Sequence, residues 1–263
     1  MVIIDQEKCI GCGRCVEDCS VRNLQLQDTK AQVKKECFQC GHCVAICPQN
    51  AVTITDYDMQ DVEEYREESF FLDPDKLLHS IKFRRSIRDY KPEKVEKEML
   101  SLLVQAGRYT ATAKNTQSNG YVFVQEELEE LKAKVWEYID EIEQREGRNA
   151  ARELLPYFSF NRRRKADPND DYLFRNAPVV LFITSERMLD VGLAAQNMEN
   201  MAVSLGLGVL YNGFLARIAD ANDELKKWLG IEGKSIMACM LLGYPNRQFI
   251  RTAPRKEAEV IWK

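Results

Sequence analysis

Cys9-Ile-Gly-Cys12-Gly-Arg-Cys15-Val-Glu-Asp-Cys19 recurs 28 residues later as Cys37-Phe-Gln-Cys40-Gly-His-Cys43-Val-Ala-Ile-Cys47. Each copy is followed by a short apolar-alternating stretch, Asn23-Leu-Gln-Leu and Ala51-Val-Thr-Ile, of the kind that makes a small strand. A short segment repeated once predicts a two-fold pseudo-symmetric module with two equivalent sites. Eight of the nine cysteines lie in it, and Cys239 stands alone outside. Clustered thiols in even number are also the mark of disulfide frameworks, which belong to small secreted chains. The opening residues Met1–Cys9 show neither a basic stretch nor a long apolar run of the secretory type, so a metal or redox site is the better starting point.

Outward from the repeat, 263 residues leave room for one or two domains. With 45% hydrophobic and 9% aromatic residues the chain can build a core, which excludes wholesale disorder. The balance of 37 basic against 41 acidic side chains argues against a nucleic-acid binder. The longest apolar run, Ala177–Ile183, is too short to span a bilayer, so no membrane association is expected and a cytoplasmic location is. Charge divides the chain. Residues 1–55 are neutral, residues 56–75 carry nine acidic side chains against one basic, and residues 76–263 come to +4. This predicts a module over 1–57, an acidic linker over 58–75 closed by a turn at Asp73-Pro74, and a second domain over 76–263. An acidic surface helix within one domain is the competing reading.

The second domain reads as α+β. Val95, Met99, Leu102, Leu103 and Ala106 share a helical face, as do Leu128, Leu131, Val135, Tyr138, Ile139 and Ile142, and a short helix is expected over Lys76–Phe83. Tyr121–Gln125, Pro178–Thr184 and Ile236–Leu242 have strand length and composition. A helix over about Leu189–Leu205 is apolar or small on most faces and wants burial, in a core or against another subunit. Arg162-Arg-Arg-Lys165 beside Asp167–Asp171 reads as an exposed charged loop, with docking of an acidic electron donor as its sharper rival. Cys239, amid Met237, Ala238, Met240 and Leu241, reads as a buried structural thiol.

The spacing C-x2-C-x2-C-x3-C resembles that of bacterial-type ferredoxins, in which three thiolates hold three corners of a cubane and the fourth ligates the other cluster. On that rule one 4Fe-4S cluster takes Cys9, Cys12, Cys15 and Cys47, and a second takes Cys37, Cys40, Cys43 and Cys19. Gly11, Gly13 and Gly41 let the backbone turn toward the sulfurs. Pro48 follows the last cysteine as in that pattern, whereas Ser20 stands in the corresponding place after Cys19. Zinc is the rival metal, but its four-ligand sites do not account for this spacing twice; redox disulfides are a weaker rival. His42 is surplus to a full ligand set, and His79 has no partner in sequence.

Arg84-Arg85-Ser86-Ile87-Arg88-Asp89-Tyr90 gathers three guanidiniums and a hydroxyl into a compact anion trap. Thr110-Ala-Thr-Ala-Lys-Asn115-Thr-Gln117, Gly206-Leu-Gly208 followed by Asn212-Gly213-Phe214, and Pro254-Arg255-Lys256 come after it in order. With these segments residues 76–263 resemble the FMN-dependent nitroreductase family. The resemblance implies a nitroreductase-like FMN-binding α/β sandwich preceded by a small ferredoxin-like iron–sulfur domain. It implies that Arg84, Arg85 and Ser86 hold the FMN phosphate or ribityl chain, with Arg88 nearer the ring. It further implies that Thr112, Ala113 and Asn115 contact the flavin of the partner subunit, that Asn212 and Gly213 lie by flavin N5, and that Arg255 sits at the phosphate. This chain departs from the family pattern at Ala111 and at Ser118-Asn119, where the family has proline and Pro-Trp. A homodimer with FMN between subunits is implied as well.

The function expected is an iron–sulfur flavoprotein oxidoreductase. Electrons would enter from a low-potential donor such as a ferredoxin or flavodoxin, pass through the clusters to FMN, and reduce a small conjugated acceptor such as a nitroaromatic, quinone or enone. No acid–base side chain stands out, so none is named as catalytic. The alternatives are an NAD(P)H-reduced flavoprotein that exports electrons through its clusters, and a non-enzymatic redox carrier or sensor. The first would be exposed by rapid flavin reduction with a nicotinamide nucleotide, the second by a reduced flavin that no acceptor reoxidises.

Overall fold

In the computed structural model, which describes residues 1–35 and 37–263 (Arg148 by its backbone only), the chain divides into two units. The first is Met1–Leu72 with Thr112–Thr116, and the second is Asp73–Ala111 with Gln117–Lys263.

The first unit contains β1 (Val2–Ile4), α1 (Arg14–Glu17), β2 (Leu24–Gln27), β3 (Lys30–Val33), α2 (His42–Ala45), β4 (Val52–Ile54) and α3 (Glu67–Phe70). β1 pairs antiparallel with β4, and β2 with β3. The sequence repeat is a backbone repeat. Gly13 and Gly41, one period apart, start α1 and α2 with φ of 78° and 80°. Gly11 and Gln39 match at 68° and 52°, and Arg22 and Asn50 at 51° and 48°. A side chain at Gly11 would place its Cβ 1.8 Å from the Thr29 carbonyl oxygen, so this copy requires glycine on steric grounds as well.

The second unit contains α4 (Pro74–Phe83), α5 (Lys97–Arg108), β5 (Gly120–Val124), α6 (Leu128–Glu146), α7 (Leu155–Ala166), β6 (Val179–Thr184), α8 (Met188–Ser204), β7 (Gly208–Tyr211), α9 (Gly213–Asp220), α10 (Asp223–Trp228) and β8 (Ile236–Gly243). Its strands form one antiparallel sheet in the order β5-β6-β8-β7. Period-two alternation divides the sheet's side chains between two layers. Val180, Phe182, Cys239 and Leu241 pack with Leu131, Trp136 and Ile139 of α6, Tyr157 and Phe158 of α7 and Leu215 of α9. Val179, Leu181, Ile183, Met240 and Leu242 pack with Leu100 and Leu103 of α5 and Val191, Ala195, Met198 and Ala202 of α8. This is the expected α/β sandwich. β6 is buried at every position, which is why it reads as an unbroken apolar run in sequence. Cys239 sits inside β8 with 2% of its surface exposed.

Some local expectations change. Asp73-Pro74 is a helix start: Asp73 accepts the Lys76 N–H at 3.0 Å and Pro74 occupies the first turn of α4. Leu102 is on the exposed side of α5. Arg162–Lys165 is the last turn of α7, not a loop, and its four cations face carboxylates. Arg162 pairs with Glu143 at 3.7 Å, Arg163 with Asp170 at 2.7 Å, and Arg164 and Lys165 with Asp140. The basic run therefore serves the packing of α7 on α6 and the loop after α7.

Candidate functional site

Short-range geometry in the first unit sorts the eight thiols crosswise. One cavity, of about 360 Å³, is lined by Cys9, Cys12, Cys15 and Cys47. The other, of about 440 Å³, is lined by Cys37, Cys40, Cys43 and Cys19. Each set thus takes three cysteines from one motif and the fourth from the other. Backbone N–H groups already point at sulfur: Ala31 donates to Cys9 at 3.4 Å and Ala51 to Cys47 at 3.3 Å in one set. In the other, Asn23 donates to Cys19 at 3.2 Å and Gln39 to Cys37 at 3.3 Å. Burial, reinforced by the Cys40 and Cys37 charges, pushes the Cys43 thiol up to about 11, and burial raises Cys15 as well. Among the described residues no three His, Cys, Asp or Glu side chains close on a single metal ion; the thiols ring a space instead. His42 lies on the surface, its Nδ1 2.9 Å from Asp18. His79 stacks on Phe83 within α4.

Thr112, Ala113 and Asn115 belong to this first unit. They form a tight turn in which Lys114 and Asn115 have φ of 55° and 54°. The Asn115 side-chain amide donates to the carbonyls of Phe38 and Gln39 at 3.2 and 3.0 Å, between Cys37 and Cys40.

In the second unit the sheet edge positions the arginine cluster. Ser86 forms a parallel bridge with Val209 of β7, and the Ile87 N–H donates to the Val209 carbonyl at 2.9 Å. Gly208 is required here, because a Cβ would stand 2.4 Å from Ile87 Cγ1. The Tyr90 hydroxyl lies 3.0 and 3.1 Å from the carbonyls of Ile87 and Leu241, and burial raises its pKa. Asp89 accepts from Arg247 at 2.7 Å, and that guanidinium holds its carboxyl below the usual range. Arg84, Arg85, Ser86 and Arg88 are thereby fixed on one short clamped segment. Arg88 Nη1 turns back to the Ser86 carbonyl at 3.4 Å. Arg85 Nη1 donates to the Arg84 carbonyl at 2.6 Å, while Arg85 Nη2 is buried with no hydrogen-bond partner.

Asn212 is buried and structural in its side chain: it accepts the Leu215 N–H at 2.9 Å, capping α9, and donates to the Leu173 carbonyl at 2.6 Å. Gly213, next to it, opens α9 with clear space where a Cβ would be. Gly206 ends α8 in the left-handed region, φ 77°, with the Leu207 N–H on the Ala202 carbonyl at 2.8 Å. Arg255 lies exposed on the extended C-terminal segment, its Nη1 on the Pro254 carbonyl at 3.2 Å. The sequence reading passed over Glu199. This α8 carboxylate is 2% exposed and 3.3 Å from Arg84 Nη1. Burial raises its pKa against the opposing pull of Arg84. A charged residue spaced with Ala195, Met198 and Ala202 on the apolar face of α8 was the available signal.

Residues 81–244 match the model of the nitroreductase family, and residues 1–65 that of a 4Fe-4S dicluster domain. A nitroreductase from Bacteroides fragilis, solved with bound FMN, superposes with a TM-score of 0.57 at 20% identity, covering 72% of this chain and 99% of that one. A second, from Desulfitobacterium hafniense and also with bound FMN, gives 0.55 at 24% identity over 71% and 98% of the two chains. Ferredoxin-2 of Desulfomicrobium norvegicum is 57% identical over 30 residues, which cover 11% of this chain. That match spans about half, 51%, of the ferredoxin's length.

Proposed function

The chain belongs to the nitroreductase family, a family of oxidoreductases, and from that premise we propose an FMN-dependent reductase with its own iron–sulfur relay. In this reading electrons come from a low-potential donor, such as a ferredoxin or flavodoxin, by way of two 4Fe-4S clusters and FMN. They leave on a conjugated small molecule of the nitroaromatic, quinone or enone class. The observation that carries the reading is the crosswise division of the eight thiols between two cavities, since that is the ligand pattern of a two-cluster ferredoxin. It is also the pattern expected of the 4Fe-4S dicluster domain matched over residues 1–65.

The residues present fit both groups. Thiols whose pKa desolvation raises, as at Cys15 and half-buried Cys43, are costly to ionise alone, and a bound iron centre reverses that cost. In the second unit, the buried and unpartnered Nη2 of Arg85 asks for an acceptor, which the FMN phosphate would supply. When bound, iron–sulfur centres supply one-electron transfer and FMN supplies exchange between one- and two-electron steps. The chain's own part is to hold and orient. Cys9, Cys12, Cys15 and Cys47 would bind one cluster, and Cys37, Cys40, Cys43 and Cys19 the other, with four backbone N–H groups directed at the sulfurs. Arg85, with Ser86 beside it, would hold the phosphate. Asn212, by capping α9, fixes the start of that helix and leaves the backbone at Gly213 open to a flat ring. Arg88, Arg255, and the turn of Thr112, Ala113 and Asn115 remain proposed flavin contacts. A homodimer is supported by α8, which exposes Met188, Leu189 and Leu193 while its opposite side is buried.

Anaerobically purified protein should contain about eight iron and eight sulfide per chain, as two such clusters imply, with one FMN. Stopped-flow mixing should show faster flavin reduction by reduced ferredoxin than by NADPH. Stoichiometric zinc in place of iron would overturn the cluster assignment, and faster reduction by NADPH the direction of electron flow.

A further inference from the structure

The three arginines of the clamped segment are not equivalent. Arg84 is already engaged: its Nη1 is 3.3 Å from Oε1 of Glu199, whose side chain is 2% exposed. The other carboxylate oxygen, Oε2, accepts from Gln196 Nε2 of α8 at 3.2 Å, so both oxygens of this buried group are engaged. The Arg84 carbonyl in turn accepts Arg85 Nη1 at 2.6 Å. What remains is Arg85 Nη2, buried and without a partner. The contacts run in series from Glu199 to the Arg84 guanidinium, and from the Arg84 carbonyl to the Arg85 guanidinium.

We propose that Glu199 is the positioning residue of the anion site: by pinning Arg84 it fixes the carbonyl that turns Arg85, and so aims the free Nη2 of Arg85 at the phosphate of the cofactor. This rests on the reading of the segment as the FMN phosphate site. It divides the labour among the arginines, with Arg85 meeting the anion and Arg84 serving as its brace. A buried carboxylate near an anion site would by charge alone weaken phosphate binding. Orientation offsets that cost, since a guanidinium fork is worth most when its direction is fixed before binding. A glutamine at 199 keeps one acceptor oxygen for Arg84 but removes the negative charge that holds the guanidinium, so the brace becomes an ordinary hydrogen bond.

The test compares FMN with riboflavin, which lacks the phosphate, by fluorescence titration of the cluster-loaded, flavin-stripped protein. Glu199→Gln should weaken FMN about tenfold, the scale of one charge-assisted hydrogen bond, and leave riboflavin unchanged. Glu199→Asp, which keeps two acceptor oxygens, should recover part of the preference. Should Glu199→Gln fail to fold, the double variant Arg84→Met with Glu199→Leu removes both charges together, strands neither, and should show the same loss. Arg85→Met serves as the control for the site. If it leaves the FMN preference intact, the phosphate-site reading fails. If Arg85→Met abolishes the preference while a folded Glu199→Gln or the double variant retains it, the positioning role alone is overturned. Equal weakening of FMN and riboflavin would also overturn it, as that marks a general loss of structure.

Discussion

At the scale of single residues, the proposed ligand sets are the sharpest point. Cys47 is 28 residues past Cys19 and occupies the same place in its motif, yet it lines the cavity of Cys9, Cys12 and Cys15. Crosswise binding has a consequence that binding within each motif lacks. Cys47→Ala should remove the same cluster as Cys9→Ala, and Cys19→Ala the same one as Cys37→Ala. In each variant iron should fall to about four per chain, one cubane's worth, and the two pairs should leave different low-temperature EPR spectra. If Cys47→Ala instead gave the spectrum of Cys37→Ala, the crosswise sets would be wrong. The grouping of these thiols about two cavities was legible from sequence, because the spacing decides which of them can meet. Glu199 was less so, since nothing within one helix shows which distant side chain a buried carboxylate faces.

Among secondary-structure elements, legibility followed burial. β5, β6 and β8 and helices α5, α6 and α8 were read within a few residues, because burial writes a period of two or of 3.6 into the chain. β7, α7, α9 and α10 were not. β7 has only four residues, beginning at Gly208, and α9 follows it directly from an Asn cap. α7 carries Asn161 and four cations on its length, so its polarity masks a buried face made of Tyr157, Phe158 and Phe160. Asn161 explains how that polarity is accommodated. It is fully buried, donates to Asp140 at 2.6 Å and Glu143 at 3.0 Å, and accepts from Arg164 at 3.1 Å. Asn161→Ala would leave two carboxylates and a guanidinium short of a partner. It should destabilise the second unit by about 2 kcal/mol, the usual cost of leaving buried polar groups unsatisfied. The readout is a lowered thermal midpoint for that unit with iron content unchanged. An unaltered midpoint would show that water replaces the amide without loss.

For the whole molecule, the two units differ in what holds them folded. The second has a sheet with an apolar layer on each side, and Cys239 is its one cysteine. The first has two small clusters: Cys9, Cys15, Leu24, Ala31 and Ala51 in one, Val2, Val52 and Ile54 in the other. Two of those eight buried residues are proposed ligands, and both sheets have only two strands. A core this small supplies about 3–5 kcal/mol at best, and two-stranded sheets are marginal in water. Metal bonds would then have to close the unit, so that metal binding and folding are one event. Iron should be stripped from the full chain by chelation under reducing, anaerobic conditions, which keeps the thiols from forming disulfides. Hydrogen exchange should then lose protection at Val2–Ile4 and Val52–Ile54, while Val179–Thr184 and Ile236–Gly243 keep theirs. Retained protection of the first pair would mean that the small clusters suffice without metal. Loss in both units would mean that the second depends on the first for its stability, which its own two-layer core gives no reason to expect.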